Sequence, residues 1–157
     1  MIISRRNLLA LAGIVIFAAS PAMAEPPIIS ATEAYEDLRA GRLVILDIRR
    51  PREWAKTGVA KGAWPVSMHH DDFMERLQTI LDVYPNDQVA LMCATGGRSG
   101  HVTSVLERAG LLGIKNLSES MLGNRLGPGW IKRGLPIVSV DVAMSDYEAK
   151  MKARRGN

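Results

Sequence analysis

Residues 88–111 read QVALMCATGGRSGHVTSVLERAGL and contain the only cysteine of the chain, Cys93. The apolar run QVALMC predicts a short strand that is buried on both faces. The later residues place Val102, Val105 and Leu106 on one face of a predicted helix, residues 99–111. A strand, a loop and a helix in this order predict one unit of a parallel sheet, with Cys93 at the carboxyl end of its strand.

The remaining segments alternate in the same way. Helices are predicted at residues 30–41, where Ser30 or Thr32 can cap the start, and at residues 71–84. The second of these helices has an apolar face. Its members are Phe73, Leu77, Ile80 and Leu81. Strands are predicted at residues 43–49, 64–68 and 114–120, so we expect an α/β domain with a mainly parallel sheet.

The chain has 157 residues, which is enough for one domain with a single core. Hydrophobic residues make up 47% and charged residues 23%, as in ordinary globular domains. One cysteine cannot form a disulfide within the chain, so the fold must depend on its packed core. No basic stripe of the kind that binds nucleic acid is present, so no nucleic-acid partner is expected.

The first 24 residues, MIISRRNLLALAGIVIFAASPAMA, are typical of an export signal, with cleavage predicted after Ala24. The pair Arg5-Arg6 before the apolar stretch resembles a twin-arginine signal, although an ordinary secretory signal or an uncleaved anchor would also fit. We therefore expect a periplasmic protein with no membrane attachment after cleavage. Loss of this segment leaves eighteen basic and sixteen acidic residues, a net charge of +2.

The loop after the Cys93 strand has the residues needed to stabilise a thiolate. Backbone N–H groups of residues 94–98 can point at the sulfur, and Gly96 and Gly97 permit close approach of the backbone. The start of the next helix and Arg98 add positive charge, which favours the thiolate over the thiol. The alternative is a tight Gly-Gly turn beside a structural Arg98 ion pair.

Three ordered motifs of the sequence match those of one known protein family. CATGGRS matches the family loop C-x-x-G-x-R-S, residues 93–99. LDIRRPREWAKTGVAKGAWPVS, residues 46–67, resembles the family stretch D-[VI]-R…E-[WFY]…G-x-[IV]-x-G-A. GPGWIKRGLPI, residues 127–137, resembles the closing signature G-W-x-x-x-G-x-P. These three motifs resemble those of the rhodanese-like domain family of single-domain sulfurtransferases, and the resemblance runs from about residue 28 to residue 138, nearly all of the expected mature chain.

The resemblance implies a three-layer α/β/α domain around a central, mainly parallel five-stranded sheet, over residues 25–140. It also implies that Cys93 takes sulfur from a donor such as thiosulfate, holds it as a persulfide and passes it to a thiol or cyanide. No metal and no organic cofactor is expected. The substrate would lie against the loop that follows Cys93, whose members are Ala94, Thr95, Gly96, Gly97, Arg98 and Ser99.

Two residue roles stay open at this stage. Arg98 can bind the sulfonate of thiosulfate or hold the loop by pairing with a carboxylate. Asp47 and Arg49 look more like an ion-pair scaffold with Glu53 than like pocket residues. Ala94 stands where thiosulfate-using relatives often have a basic residue, so the donor is undetermined.

Other functions are compatible with parts of the sequence. The chain could be an interaction module or sulfur carrier of a periplasmic system, because this fold does not guarantee catalysis. A cysteine phosphatase is least expected, since its loop has five residues between cysteine and arginine, whereas residues 94–97 make four. Residues 141–157 are predicted to form an added helix with a basic tail that offers a surface to a periplasmic protein partner.

Overall fold

Two apolar segments form the centre of the sheet in the computed structural model, which describes residues 26–156. They pair in parallel along their full length, from Leu43 opposite Gln88 to Asp47 opposite Met92. The strands are β1 (Ile28–Ile29), β2 (Leu43–Asp47), β3 (Val59–Ala60), β4 (Trp64–Pro65), β5 (Gln88–Met92), β6 (Lys115–Leu117) and β7 (Ile137–Val138).

The central sheet has five strands in the order β1-β6-β5-β2-β4, and all of its pairings are parallel. The prediction of a mainly parallel five-stranded sheet is therefore confirmed. Strands β3 and β7 form a separate antiparallel pair. The two-residue strands β1, β3 and β7 were not predicted, because so short a segment has no readable alternation.

Helices cover both faces of the sheet, which confirms the three-layer α/β/α architecture. They are α1 (Ala31–Arg39), α2 (Pro51–Thr57), α3 (Phe73–Val83), α4 (Gly97–Arg108), α5 (Gly129–Lys132) and α6 (Val140–Arg155). Alternate residues of β2 supply the two cores. Leu43 and Ile45 pack with residues of α1, α2 and α5, whereas Val44 and Leu46 pack with residues of α3 and α4.

Local signals explain where α1 begins. The Ser30 hydroxyl accepts a hydrogen bond from the Glu33 N–H at 3.3 Å, and the Glu33 carboxylate accepts from the Ser30 N–H at 3.0 Å. This reciprocal capping box satisfies two N–H groups that the helix itself leaves without partners. Of the two caps that the sequence left open, the structure therefore has Ser30.

Helix α4 begins at Gly97, two residues earlier than predicted, and buries a different face. Val105 was expected on the core side, but it is 42% exposed. The buried residues are Ser99, Thr103 and Leu106, and the Thr103 hydroxyl donates to the Ser99 carbonyl at 3.0 Å. The prediction for Val105 was wrong because the buried stripe of this helix starts with hydroxyl residues, which an apolar pattern does not reveal.

The C-terminal helix α6 packs across the β4 edge of the sheet. Ala143 belongs to one core, whereas Met151 and Tyr147 pack into the other. The rings of Tyr147 and Trp64 lie 5.4 Å apart between centroids. Thus α6 helps to bury Trp64 in addition to presenting an outer face to solvent. Within residues 26–156, no helix has the length and apolar character needed to cross a membrane.

The packing of α6 leads to a stability prediction. Replacing Met151 by Ala removes buried side-chain volume and should lower the free energy of unfolding by about 2–4 kcal/mol. Replacing the exposed neighbour Lys152 by Ala should change it by less than about 0.5 kcal/mol. Urea titrations of both variants measure this difference, and equal values would show that α6 does not contribute to the core.

Candidate active site

Cys93 lies at the carboxyl end of β5, where the chain turns into α4. Its side chain is only 1% exposed and belongs to the core between the sheet and α3 and α4. Strands β2 and β5 end side by side, and the Ile48 N–H donates to the Met92 carbonyl at 2.9 Å. The structure therefore places Cys93 at the edge where a parallel α/β sheet carries its functional groups.

Three neutral donors surround the Cys93 sulfur. The Gly96 N–H lies 3.2 Å from Sγ, the Ser99 hydroxyl 3.4 Å and the Ser120 hydroxyl 3.7 Å. Within the described residues, no charged side chain donates to Sγ. Of the backbone N–H groups of residues 94–98, which were expected to surround the sulfur, only that of Gly96 lies at hydrogen-bonding distance, and two hydroxyl groups make the other contacts.

These contacts set the protonation of the thiol. Burial raises the pKa of Cys93, because it disfavours the charged form. The hydroxyls of Ser99 and Ser120 and the backbone of the loop between Thr95 and Ser99 lower it by more than burial raises it. The pKa is consequently lowered from its ordinary value, which increases the thiolate fraction near neutral pH.

The Ser99 hydroxyl has one proton and several acceptors within reach. Besides the sulfur, they are Asn116 Oδ1 at 2.7 Å and the Gly96 carbonyl at 3.2 Å. A thiolate accepts more strongly than a thiol, so deprotonation of Cys93 favours rotation of the Ser99 proton to Sγ. Ser99 was among the predicted site residues, and the structure places it against the sulfur.

Ser120 is a site residue that the sequence did not identify. It is fully buried, and its hydroxyl accepts from the Cys93 N–H at 3.0 Å. Its one proton has two acceptors within reach, the Leu117 carbonyl at 2.8 Å and the Cys93 sulfur at 3.7 Å. Its φ of 51° is positive, a region that side chains other than glycine seldom adopt. Because Ser120 is 27 residues from Cys93 in sequence, only the parallel packing of β5 and β6 reveals their contact.

Gly96 is required by the shape of the loop. It has φ of 86°, and a Cβ there would collide with the Ser118 carbonyl. The Asn124 amide ties the two loops together, donating to the carbonyls of Thr95 and Ser118 at 2.6 Å each. Gly97 was also expected to permit close approach of the backbone. This prediction was wrong, because a Cβ at Gly97 would meet no atom within 4 Å.

Arg98 pairs with Glu53 of α2. Its guanidinium makes two hydrogen bonds to the carboxylate, at 2.9 Å and 2.6 Å. The bonds from Arg98 lower the pKa of Glu53 to about 2, and the carboxylate in turn raises the pKa of Arg98. Of the two roles left open by the sequence, the structure shows the carboxylate pair.

Asp47 and Arg49 form a separate, fully buried pair. The Arg49 guanidinium contacts Asp47 at 2.6 Å and also donates to Thr57 Oγ1 at 2.8 Å and the Gly58 carbonyl at 2.9 Å. It thereby fastens the end of β2 to the end of α2. The sequence predicted an ion-pair scaffold of Asp47, Arg49 and Glu53. This prediction was wrong for Glu53, because its carboxylate is hydrogen-bonded to Arg98 instead of Arg49.

The remaining predicted residues shape the outer side of the loop. Ala94 is half-buried and its carbonyl accepts from the Leu122 N–H at 2.8 Å, whereas Thr95 is exposed. A cleft of about 620 Å³ adjoins the loop. Its lining comprises Thr95, Gly96, Gly97, Asn116, Ser118, Gly123, Asn124, Arg125 and Leu126.

Across residues 26–156, no group of three or more His, Cys, Asp or Glu side chains is arranged to hold a metal ion.

The comparisons with known proteins agree with this geometry. The sequence pattern of the rhodanese-like domain matches residues 30–123. The chain belongs to the rhodanese-like domain family. It is 31% identical over 120 residues to "Thiosulfate sulfurtransferase 16, chloroplastic" of Arabidopsis thaliana, an alignment that covers 71% of this chain and 92% of that one.

Solved structures of rhodanese-like proteins have a similar fold. A rhodanese-related protein of Thermoplasma volcanium is 25% identical, with a TM-score of 0.52 and coverage of 71% of this chain and 97% of that one. A thiosulfate sulfurtransferase of Pseudomonas aeruginosa is also 25% identical, with a TM-score of 0.54. That alignment covers 73% of this chain but only 20% of the Pseudomonas chain.

Two substitutions at Ser120 separate the effect of its hydroxyl on the Cys93 thiol from the effect of its strained backbone. Ser120→Gly removes the hydroxyl but suits the positive φ, whereas Ser120→Ala removes it and keeps the strain. Both variants should raise the pKa of Cys93 and slow its alkylation by iodoacetamide near neutral pH by about three- to tenfold, as expected for one lost hydrogen bond. The pH dependence of the alkylation rate gives the thiol pKa directly.

Stability serves as the control for this prediction. Ser120→Gly should be about 1 kcal/mol more stable than Ser120→Ala in urea, because glycine tolerates the left-handed backbone. If the thiol pKa followed stability, rising in the alanine variant and not in the glycine variant, the Ser120 hydroxyl would have only a structural role.

Proposed function

We propose that the mature chain is a sulfurtransferase that carries sulfane sulfur on Cys93. The observation that supports this most strongly is the buried Cys93 sulfur, surrounded by neutral donors that lower its pKa. Such an environment favours an anionic sulfur nucleophile without any metal or organic cofactor. Membership of the rhodanese-like family and the similarity to a thiosulfate sulfurtransferase point to the same chemistry.

In the first step, the Cys93 thiolate attacks the outer sulfur of a donor such as thiosulfate. A bond forms between Sγ and that sulfur, the S–S bond of the donor breaks, and its electron pair leaves with sulfite. The Cys93 persulfide keeps one negative charge. The Gly96 N–H and the hydroxyls of Ser99 and Ser120, which already face the sulfur, stabilise that charge.

In the second step, an outside nucleophile removes the sulfur. A cellular thiolate attacks the terminal sulfur, the persulfide bond breaks, and Cys93 leaves as the thiolate that began the cycle. Cyanide replaces the thiol in an assay and yields thiocyanate. Because the acceptor supplies the second nucleophile, the chain needs no second cysteine, which agrees with its single thiol.

We also propose that the protein is exported and that it meets its sulfur donor and acceptor in the periplasm. Residues 1–24 lie outside the described residues, so the support for export is the sequence pattern of Arg5-Arg6, the apolar stretch and the Ala24 cleavage site. In the periplasm, the donor would be thiosulfate or another small sulfane compound, and the acceptor a small thiol or a partner protein. A sulfur-carrying interaction module without rapid turnover is the alternative within the same family.

The central prediction of this proposal concerns the mass of the protein. Incubation of the mature chain with thiosulfate should add the mass of one sulfur atom, and later addition of cyanide should remove it and release thiocyanate. Intact-mass spectrometry follows the first step and a thiocyanate assay the second.

Two controls define the outcome. Cys93→Ser should gain no sulfur, while Arg108→Gln, at the far end of α4, should behave as the unaltered chain. Failure of the unaltered chain to take up sulfur from thiosulfate, mercaptopyruvate or a polysulfide would refute the sulfurtransferase proposal. Sulfur uptake without turnover to any acceptor would instead support the carrier module.

Export leads to a prediction about the amino terminus. The full chain produced in a bacterium with both export routes should be recovered from the periplasm starting at Glu25. Replacing Arg5 and Arg6 by lysine should retain the precursor in the cytoplasm if the twin-arginine route is used. Amino-terminal sequencing of each cell fraction measures this, and an uncleaved chain in the membrane would contradict the proposed signal peptide.

A further inference from the structure

The cleft that adjoins the loop after Cys93 is larger than thiosulfate requires. Its volume is about 620 Å³, which lies within the range of about 300–1,000 Å³ that is typical of small-molecule sites. Thiosulfate consists of one sulfonate group and one outer sulfur, so it would fill only a small part of this space. The cleft therefore has room for a sulfur compound with a carbon skeleton.

Two chains of contacts lead from the cleft to the Cys93 sulfur. Gly96 lines the cleft, and its N–H lies 3.2 Å from Sγ. Asn116 also lines the cleft, and its Oδ1 accepts from the Ser99 hydroxyl at 2.7 Å. That hydroxyl lies 3.4 Å from Sγ. A molecule held in the cleft is thus separated from the sulfur by one residue on the first path and by two on the second.

A tight turn forms one wall of the cleft and is fixed to the candidate active-site loop. The Asn124 N–H donates to the Gly127 carbonyl at 2.9 Å, and the Leu126 N–H donates to Asn124 Oδ1 at 2.7 Å. The side-chain amide of the same asparagine donates to the Thr95 carbonyl at 2.6 Å. The two residues at the tip of the turn, Arg125 and Leu126, are therefore held beside the loop.

Arg125 is the one charged residue among those that line the cleft. It is exposed and forms no ion pair with any residue in 26–156. Glu119 lies against the turn at Gly127, where a Cβ would collide with its carboxylate. That carboxylate is already bound by Arg133 through two hydrogen bonds of 2.8 Å. The positive charge of Arg125 is therefore not compensated within the cleft.

Asn116 offers the cleft a second donor. The residue is half-buried, and its Oδ1 is taken by the Ser99 hydroxyl, whereas its Nδ2 makes no hydrogen bond within residues 26–156. An amide N–H group and a guanidinium both need acceptors, and a carboxylate is a group that only accepts. Leu126, which is 70% exposed, adds apolar surface for a carbon skeleton beside these donors.

We infer that the cleft binds a thiol or persulfide whose carbon skeleton carries a carboxylate, and that Arg125 and Asn116 donate to this carboxylate. Peptide thiols belong to this chemical class. That the ligand carries reactive sulfur rests on the proposed function, whereas the preference for a carboxylate rests on the two donors and the size of the cleft. The loop after Cys93 contacts the sulfur, and the cleft recognises the rest of the molecule.

An unreactive peptide tests this inference through the only thiol of the chain. S-Methylglutathione has free carboxylates and a blocked sulfur, so it can bind but cannot exchange sulfur. It should slow the alkylation of Cys93 by iodoacetamide, and the concentration dependence of this protection gives its Kd. In Arg125→Gln the Kd should rise about fivefold at low salt, as expected for one exposed ion pair. The Kd of the dimethyl ester, which lacks the carboxylate charges, should not change.

Two further variants define the outcome. Arg108→Gln is the matched control, because it removes an exposed arginine in the last turn of α4, and its Kd should equal that of the unaltered chain. Asn116→Asp keeps an oxygen for Ser99 but replaces the free donor by a negative charge, so it should weaken binding more than Arg125→Gln does. Equal protection by the acid and its ester, or an equal loss in Arg108→Gln and Arg125→Gln, would overturn the inference.

Sulfur transfer separates this inference from the proposed function. If Arg125→Gln lowers kcat/KM for transfer to glutathione about fivefold but leaves transfer to mercaptoethanol unchanged, both proposals are supported. If Cys93 takes up no sulfur from any donor while Arg125→Gln still weakens protection by S-methylglutathione, the sulfurtransferase proposal fails and the carboxylate site stands. If Cys93 takes up sulfur but S-methylglutathione gives no protection, the inference fails and the sulfurtransferase proposal stands.

Discussion

The candidate active site depends on hydrogen bonds from neutral donors to a sulfur atom that lies in the protein interior. Cys93 is almost completely buried, and burial alone would keep it protonated. The groups that reverse this tendency come from its own loop, from the first turn of α4 and from the chain that follows β6. The order β6-β5-β2 in the parallel sheet brings these segments to the same edge, so the sheet topology determines the chemistry of the thiol.

Charged residues have a different role at this edge. Arg98 and Glu53 join α4 to α2, and the buried Asp47–Arg49 pair joins β2 to the end of α2. Both pairs hold the loops in place without donating to the sulfur. A neutral cradle tolerates a thiolate and a persulfide, which have the same charge but different size, because no fixed counter-ion must move between the two states.

Much of this arrangement could be predicted from sequence. The apolar runs of β2 and β5 and the face of α3 predict the layered fold, and the motif around Cys93 predicts the candidate nucleophile and the nearby Ser99. The contact of Ser120 could not be predicted, since neither periodicity nor composition indicates where a serine 27 residues away in sequence will point. The partner of Arg98 was likewise undetermined until the position of α2 over the strand ends was known.

Hydrogen bonds to the Cys93 sulfur lower its pKa by more than burial raises it. A spectrophotometric titration of the thiolate in the unaltered mature chain, with Cys93→Ser as the blank, measures this balance directly. We expect a pKa below that of a free cysteine, about 8.5. A pKa at or above that value would show that burial dominates, and it would contradict the description of residues 93–99 and Ser120 as a cradle for anionic sulfur.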